Sequence, residues 1–539
     1  MTAIARTPCD EGVIAVAPAD PGADVRATTG RWVLVATILG SSMAFIDGTV
    51  VNVALPTMQR ALTATAAEMQ WVVQAYALFL AALILVGGSL GDHFGRRRVF
   101  ALGVAIFTIA SLGCGLAANA GQLIAFRAVQ GVGGALLVPG SLAIISAAFP
   151  DDAARGRAIG TWSAFTSITS AIGPVLGGSL VDYASWRWVF LINLPLALVV
   201  LAITLTRVPE SRDAEGAGGV RSLDWWGAAL ATLGLGALVF GLTNAPDLGW
   251  TDIAVAGPIV LGVALLALFL QVEARGRNPM MPLGLFRSRT FLGANLLTFL
   301  LYAVLGGALY FFPFNLIQVQ GYSSAAAGAA FLPVILILLA LSRWAGGLIG
   351  RFGAKLPLIA GPSIAALGFA LFALPGIGGS FWTTFFPATV VLGLGMAITV
   401  APLTTAVMSA VPTRHAGVAS GINNAISRTA GLLAIALFGI VIATTFGDRL
   451  ERRLVDLELP ASARQEIAAQ ENRLAGAEPP ATLDTATQAA VARAIDESYV
   501  AGFRVIMLLG AGLALASAGM AAWLIDGKPR AEPDPPAGD

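Results

Sequence analysis

Three ionisable side chains stand deep inside apolar stretches. Asp47 lies in "SSMAFIDGTVVNVALP" (41–56), Arg127 in "FRAVQGVGGALLVPG" (126–140) and Arg428 in "SGINNAISRTAG" (420–431). In hydrocarbon a central acid costs ~2.5–3.5 kcal/mol on insertion scales, so such residues face an interior and mark ion pathways. Removal from water favours the neutral form of a carboxyl group, whereas a nearby guanidinium favours the charged form. An acid wetted alternately from two sides, and neutralised in between, carries a proton. Asp47 is therefore the candidate proton carrier and Arg127 its modulating partner. Two structural readings stay open. Asp47 caps a kinked helix or pairs permanently with Arg127, and Arg127 alone serves as an interhelical hydrogen-bonding post.

The elements that must position these residues are membrane helices. Of 539 residues, 57% are hydrophobic and 12% charged, with mean hydropathy +0.79. Soluble domains are ~25% charged. The charges here cluster between apolar runs of ~20 residues, the length that crosses a bilayer as helix. Fourteen such spans lie near 32–54, 71–91, 99–118, 123–148, 157–181, 187–206, 225–244, 254–272, 291–317, 325–349, 356–376, 382–410, 416–446 and 502–525. The expected fold class is an all-α integral membrane protein.

Short loops after even-numbered spans carry "HFGRRR", "DDAARGR", "EARGRNPMMPLGLFRSR" and "RFGAK", whereas "ANAGQ", "NAPDLGWTD" and "QVQGYSSAA" after odd ones lack basic residues. By the positive-inside rule both termini are cytoplasmic, in a multi-pass inner-membrane protein. Residues 1–30 read as a disordered cytoplasmic tail without signal-peptide order, and 527–539 as a second tail. The charged segment 447–500 is expected to form two amphipathic helices on the outer face, broken at "GAEPPAT".

Other chemistries find little support. Cys9 and Cys114 sit in unlike surroundings and His93 and His415 in separate loops, which argues against a disulfide framework or a metal centre. No G-x-x-x-x-G-K-[ST] loop supports nucleotide hydrolysis. A net charge of +1 gives no sign of nucleic acid, and no cofactor is expected. A membrane enzyme would need a nucleophile, a metal or a carboxylate pair, and none is evident.

The chain repeats itself. Gly95 and Gly353, Gly131 and Gly393, Pro150 and Pro412, and Gly173 and Gly431 are each separated by about 260 positions. Two homologous six-helix halves follow, 31–206 and 291–526. An inserted helix pair at 225–272 lies between them, flanked by linkers 207–224 and 273–290. Paired halves around a midplane site are the architecture of alternating-access transport.

Several motifs carry a family resemblance. "GGSLGDHFGRRRV" (87–99) resembles the loop signature of the major facilitator superfamily, matching at Gly88, Leu90, Asp92, Gly95, Arg96 and Arg97. Gly350 replaces the acid in the second copy. Arg127, Gln130 and Gly131 match the fourth-span motif. Gly173, Pro174, Gly177 and Gly178 in "AIGPVLGG" match the antiporter motif of span five. "IDGTVVNVALP", "WVVQAYAL", "SWRWVFLINLP", "LDWWG" and "YFFPFNLIQVQGYSSAAAGAAFLP" resemble the fourteen-helix drug/proton antiporters over roughly residues 30–526.

The resemblance implies proton-coupled efflux of lipophilic small molecules by alternating access. A dedicated exporter of one lipid, siderophore or antibiotic is the alternative. The loop signature is then a latch on the cytoplasmic side, unless it is only a topology signal. The expected substrate cavity draws on Trp71, Tyr76, Gln130, Tyr310, Asn423, Asn424 and Arg428. Against this, aromatics at span ends commonly form the interfacial belt, and Arg428 with its asparagines equally suits sealing a helix pair. One deep acid against two arginines favours neutral, monocationic or amphiphilic compounds over dications. Protons, substrate and bilayer are the expected partners. A periplasmic adaptor and an outer-membrane channel stay open.

Overall fold

The computed structural model describes residues 27–149, 151–212, 224–276, 279, 281–412 and 416–526. Among these the chain is helical, with no strand. The first half comprises α1 (Ala27–Ala61), α2 (Ala66–Phe94), α3 (Arg96–Leu116), α4 (Ala120–Ala148), α5 (Asp152–Tyr183), the single turn α6 (Trp188–Leu191) and α7 (Asn193–Arg207). The inserted pair is α8 (Trp225–Leu248) and α9 (Ile253–Arg275). The second half comprises α10 (Arg289–Phe314), α11 (Ser324–Ala329), α12 (Leu332–Phe352), α13 (Lys355–Phe372), α14 (Phe381–Thr384), α15 (Phe386–Ser409), α16 (Ala416–Asp456), α17 (Ala461–Ala468) and α18 (Thr485–Leu524). Fourteen of the helical stretches are long and apolar enough to cross a membrane.

Hydrocarbon offers backbone groups no partner, so each span closes its own hydrogen bonds and its ends need caps. Thr65 and Glu68 form a reciprocal capping box at the start of α2. Asn119, Asp151, Asp224, Asp252, Ser288, Ser323 and Asp484 cap α4, α5, α8, α9, α10, α11 and α18 through their side-chain oxygens.

Packing repeats from half to half. In the first, α1 packs on α5 and α7, and α4 packs on α2 and α3; in the second, α10 packs on α16 and α18, and α15 packs on α12 and α13. The contacts between halves are reciprocal: α2 meets α16, and α5 meets α11. The repeat extends to backbone geometry. Gly95 (φ +106°) ends α2 and Gly353 (φ +70°) ends α12, both in the region that favours glycine.

At Gly95 a methyl group would also stand 2.7 Å from the Glu210 carboxylate. Gly95→Ala is therefore expected to cost ~1–3 kcal/mol through backbone strain alone. The check is a thermal melt of purified protein, read as a lower midpoint than wild type.

Three boundaries differ from those expected. The first helix begins at Ala27, inside the stretch assigned to the N-terminal tail; the remainder of that tail, and 527–539, lie outside the described residues. Span ten is broken between α11 and α12, where Pro333 opens the second piece. The amphipathic stripes of 447–500 are continuations of α16 and α18 rather than separate helices. Leu450, Leu454, Val491 and Ile495, apolar at helical spacing, are buried, and Leu457 is half-buried. Packing against one another lets both spans run past the bilayer, and only 457–484 between them breaks into α17 and short turns.

Candidate functional site

Asp47 is wholly buried on α1, and each of its oxygens has a donor. Arg127 Nη1 donates to Oδ2, and Gln130 Nε2 donates to Oδ1 at 2.9 Å. The same Arg127 nitrogen donates to Gln130 Oε1 at 2.8 Å, and Arg127 Nε donates to the Val72 carbonyl at 2.9 Å. The guanidinium carbon lies 4.3 Å from the centre of the Tyr76 ring, a cation–π contact within a desolvated site. Ser111, held by the Phe190 carbonyl at 2.9 Å and by Asn193 Nδ2 at 3.0 Å, accepts from Gln130 Nε2 at 3.4 Å.

The glycines of α4 make this possible. A Cβ at Gly131 would meet the Tyr76 carbonyl at 2.5 Å, so only glycine lets α4 lie this close to α2. That approach carries Arg127 to the Val72 carbonyl. Both oxygens of an acid so held have a donor here.

The adjoining face of α1 lines a cavity of about 600 Å³ between the halves. Phe45, Thr49 and Asn52 come from α1, Ser167 and Ser170 from α5, Tyr302 and Tyr310 from α10, and Met396 from α15. Among the described residues, no acid, lysine, arginine or histidine lines it. Its volume suits a drug-sized molecule, and apolar walls with a few hydroxyl and amide groups suit an uncharged one. Asp47 itself is turned away, toward α4.

The halves are tied together on the face opposite the Arg96–Arg98 junction. Asp182 Oδ1 and Oδ2 accept from the backbone N–H groups of Ser324 and Ala325 at 3.0 and 2.8 Å. A Cβ at Gly178 would fall on the Ser324 carbonyl, and one at Gly328 on the Pro174 carbonyl. Gly173 and Gly177 abut Thr49 and Val50 of α1 in the same way. Toward the junction face, α5 and α12, the helix that follows α11, are loose. Nothing lies within 4 Å of a Cβ at Gly156, Gly160, Gly346, Gly347 or Gly350. The halves splay on the junction face.

The junction motif matches that splay. Asp92 accepts from Arg96 Nε at 2.8 Å, while Arg97 and Arg98 reach Glu210 at 3.8 and 3.6 Å. Gly88 packs on Pro139. All these partners belong to the first half or the segment just after it. Among the described residues, the expected latch makes no ion pair across the cleft in this conformation.

Of the residues expected in the substrate cavity, the wall of this one contains Tyr310. The other six lie off it. Gln130 binds Asp47, and Tyr76 backs Arg127. Trp71 packs on Phe240 of the inserted pair, 6.0 Å between ring centres. Asn423 donates to Asn295 and Thr298 at 3.1 and 2.7 Å, sealing α16 to α10. Arg428 Nε donates to Asn424 one turn earlier at 3.2 Å. What sequence reasoning missed is the small polar stripe of α5. Thr166, Ser167 and Ser170 in "SAFTSITSAIGP" line the cavity at helical spacing, one turn before Pro174.

The Major Facilitator Superfamily pattern matches residues 37–436. The chain is 35% identical to multidrug resistance protein Stp of Mycobacterium tuberculosis, covering 91% of each chain. It is 33% identical to the tetracenomycin C resistance and export protein of Streptomyces glaucescens, covering 93% of this chain and 92% of that one. A solved bacterial homologue of the human lysosomal transporter Spinster, in an inward-facing conformation, has the same fold. Its TM-score is 0.63 at 19% identity, covering 92% of this chain and 98% of that one. With the reciprocal packing of its two halves, the chain belongs to the major facilitator superfamily.

Proposed function

We propose that the protein exports lipophilic small molecules across the inner membrane in exchange for protons, with the junction face toward the cytoplasm. The observation that carries this is the arrangement on α1. One face presents a buried carboxylate to two donors, and the adjoining face lines an uncharged cavity at the seam between the halves. Protonation of Asp47 from outside would remove the charge that holds Arg127 and turn one of the two acceptor oxygens into a donor, loosening α1 from α4. Return of that proton to the cytoplasm would restore the pair while substrate moves outward. A potential of ~100 mV supplies about 2.3 kcal/mol per charge, enough for a roughly fifty-fold gradient.

The names of the relatives support resistance by export, and one of them is tied to a single compound. A dedicated exporter is therefore the second reading. Both readings predict that an inward-acid pH gradient across everted proteoliposomes drives accumulation of a neutral aromatic compound, and that an uncoupler abolishes it. Accumulation unaffected by the uncoupler would contradict proton coupling. A panel of unrelated amphiphiles separates the two readings: broad uptake supports multidrug efflux, and uptake of one chemical series supports the dedicated exporter.

A further inference from the structure

We infer that Tyr310 is the outer gate of the central cavity, the side chain past which an exported molecule must leave. The inference deepens the export reading and rests on it for direction, though not for geometry. Tyr310, 4% exposed, lines the 600 Å³ cavity on one side. On the other it lines a void of about 10 Å³, room for about one water molecule, bounded by Gln59, Arg473, Leu474 and Tyr499. Among the described residues, no other belongs to both walls. One aromatic ring therefore separates the cavity from the turn that covers the far face.

The surroundings fit a plug that moves. The ring is braced on its own helix by Phe311 and Phe314, with centres 4.8 and 5.6 Å away. Its hydroxyl is buried with no hydrogen-bond partner. A buried hydroxyl left unpaired disfavours the position that buries it. Above the void, Gln59 donates to the Arg473 carbonyl at 3.1 Å and accepts from Gln318 at 2.9 Å, joining α1 to both the cover and the second half. Leu474 in that cover has φ +54°, a backbone position costly for a branched side chain. The void alone has room for about one water, so the ring moves only with the cover that bounds it; that displacement gives its hydroxyl water or Gln59 as partner and opens the cavity outward.

The test uses full-length protein in sided proteoliposomes with Ser170→Cys, a cavity-lining position, as reporter. A membrane-impermeant sulfonated maleimide is applied to the far face, and modification of that peptide is read by mass spectrometry. Tyr310→Ala is expected to accelerate labelling at least about five-fold over the reporter alone, and Tyr310→Phe, which keeps the ring, to leave it unchanged. Equal rates for Tyr310→Ala and the reporter would overturn the gate. Equal acceleration by Tyr310→Phe would also overturn it, because the hydroxyl and not the ring would be the seal. Labelling from the junction face reports whether each variant is folded. Should Tyr310→Ala fail that control, Tyr310→Leu replaces it, and unchanged labelling by that variant would overturn the gate. None of these readouts needs transport, so a failure of the export reading leaves the gating result standing.

Discussion

Asp47→Asn is expected to abolish proton-driven accumulation, leaving the rate of protein-free liposomes, while counterflow exchange stays within about three-fold of wild type, ~0.7 kcal/mol. Asparagine keeps the shape and an acceptor oxygen but cannot be switched by a proton. It also strands the Arg127 guanidinium, 1% exposed, without its counter-charge. Breaking a buried pair on one side costs ~3–5 kcal/mol, so the single variant loses stability as well as coupling. The double variant Asp47→Asn/Arg127→Gln separates the two effects. It removes both charges and should regain most of the thermal midpoint without regaining accumulation. If the pair were only a structural post, stability and accumulation would return together.

The second large effect is steric. Gly178→Val places a branched side chain against the Ser324 carbonyl, where even a methyl group has no room. Overpacking costs ~1–3 kcal/mol and more when the obstacle is backbone, enough to deplete the far-face-closed state by about ten- to hundred-fold. Spin labels at Tyr183 and Ala326, exposed at the far ends of α5 and α11, should then report a longer distance, and transport should fall to background. Gly160→Val on the same helix meets open space in this conformation and should leave that distance unchanged. An unaltered distance in Gly178→Val would mean that the glycine motif is not what closes the far face.

The features legible in the sequence were those with steep energetic penalties. A charge in hydrocarbon is costly enough that Asp47 and Arg127, 80 positions apart, had to be accounted for together. The spacing of Gly95 and Gly353 registered because a left-handed backbone admits few alternatives to glycine. The cavity was not legible, because its wall is made by weakly polar side chains. Ser167, Ser170, Thr49 and Asn52 satisfy the requirements of lipid, helix packing or ligand equally well, and only the relative placement of the halves selects among them. Trp71 illustrates the converse. Its aromatic ring suited a substrate, but the inserted helix α8 brings Phe240 to it. The extensions of α16 and α18 escaped because helix ends outside the bilayer are set by mutual burial of Leu450, Tyr499 and their neighbours, not by hydropathy.

The central claim is that substrate and proton compete through Asp47. It is tested most directly by adding a transported amphiphile to purified protein in weakly buffered detergent solution and recording the pH. The account predicts a proton released per transporter on binding by wild type, and none by Asp47→Asn at saturating ligand. Equal release by both proteins, or binding by wild type without release, would contradict it.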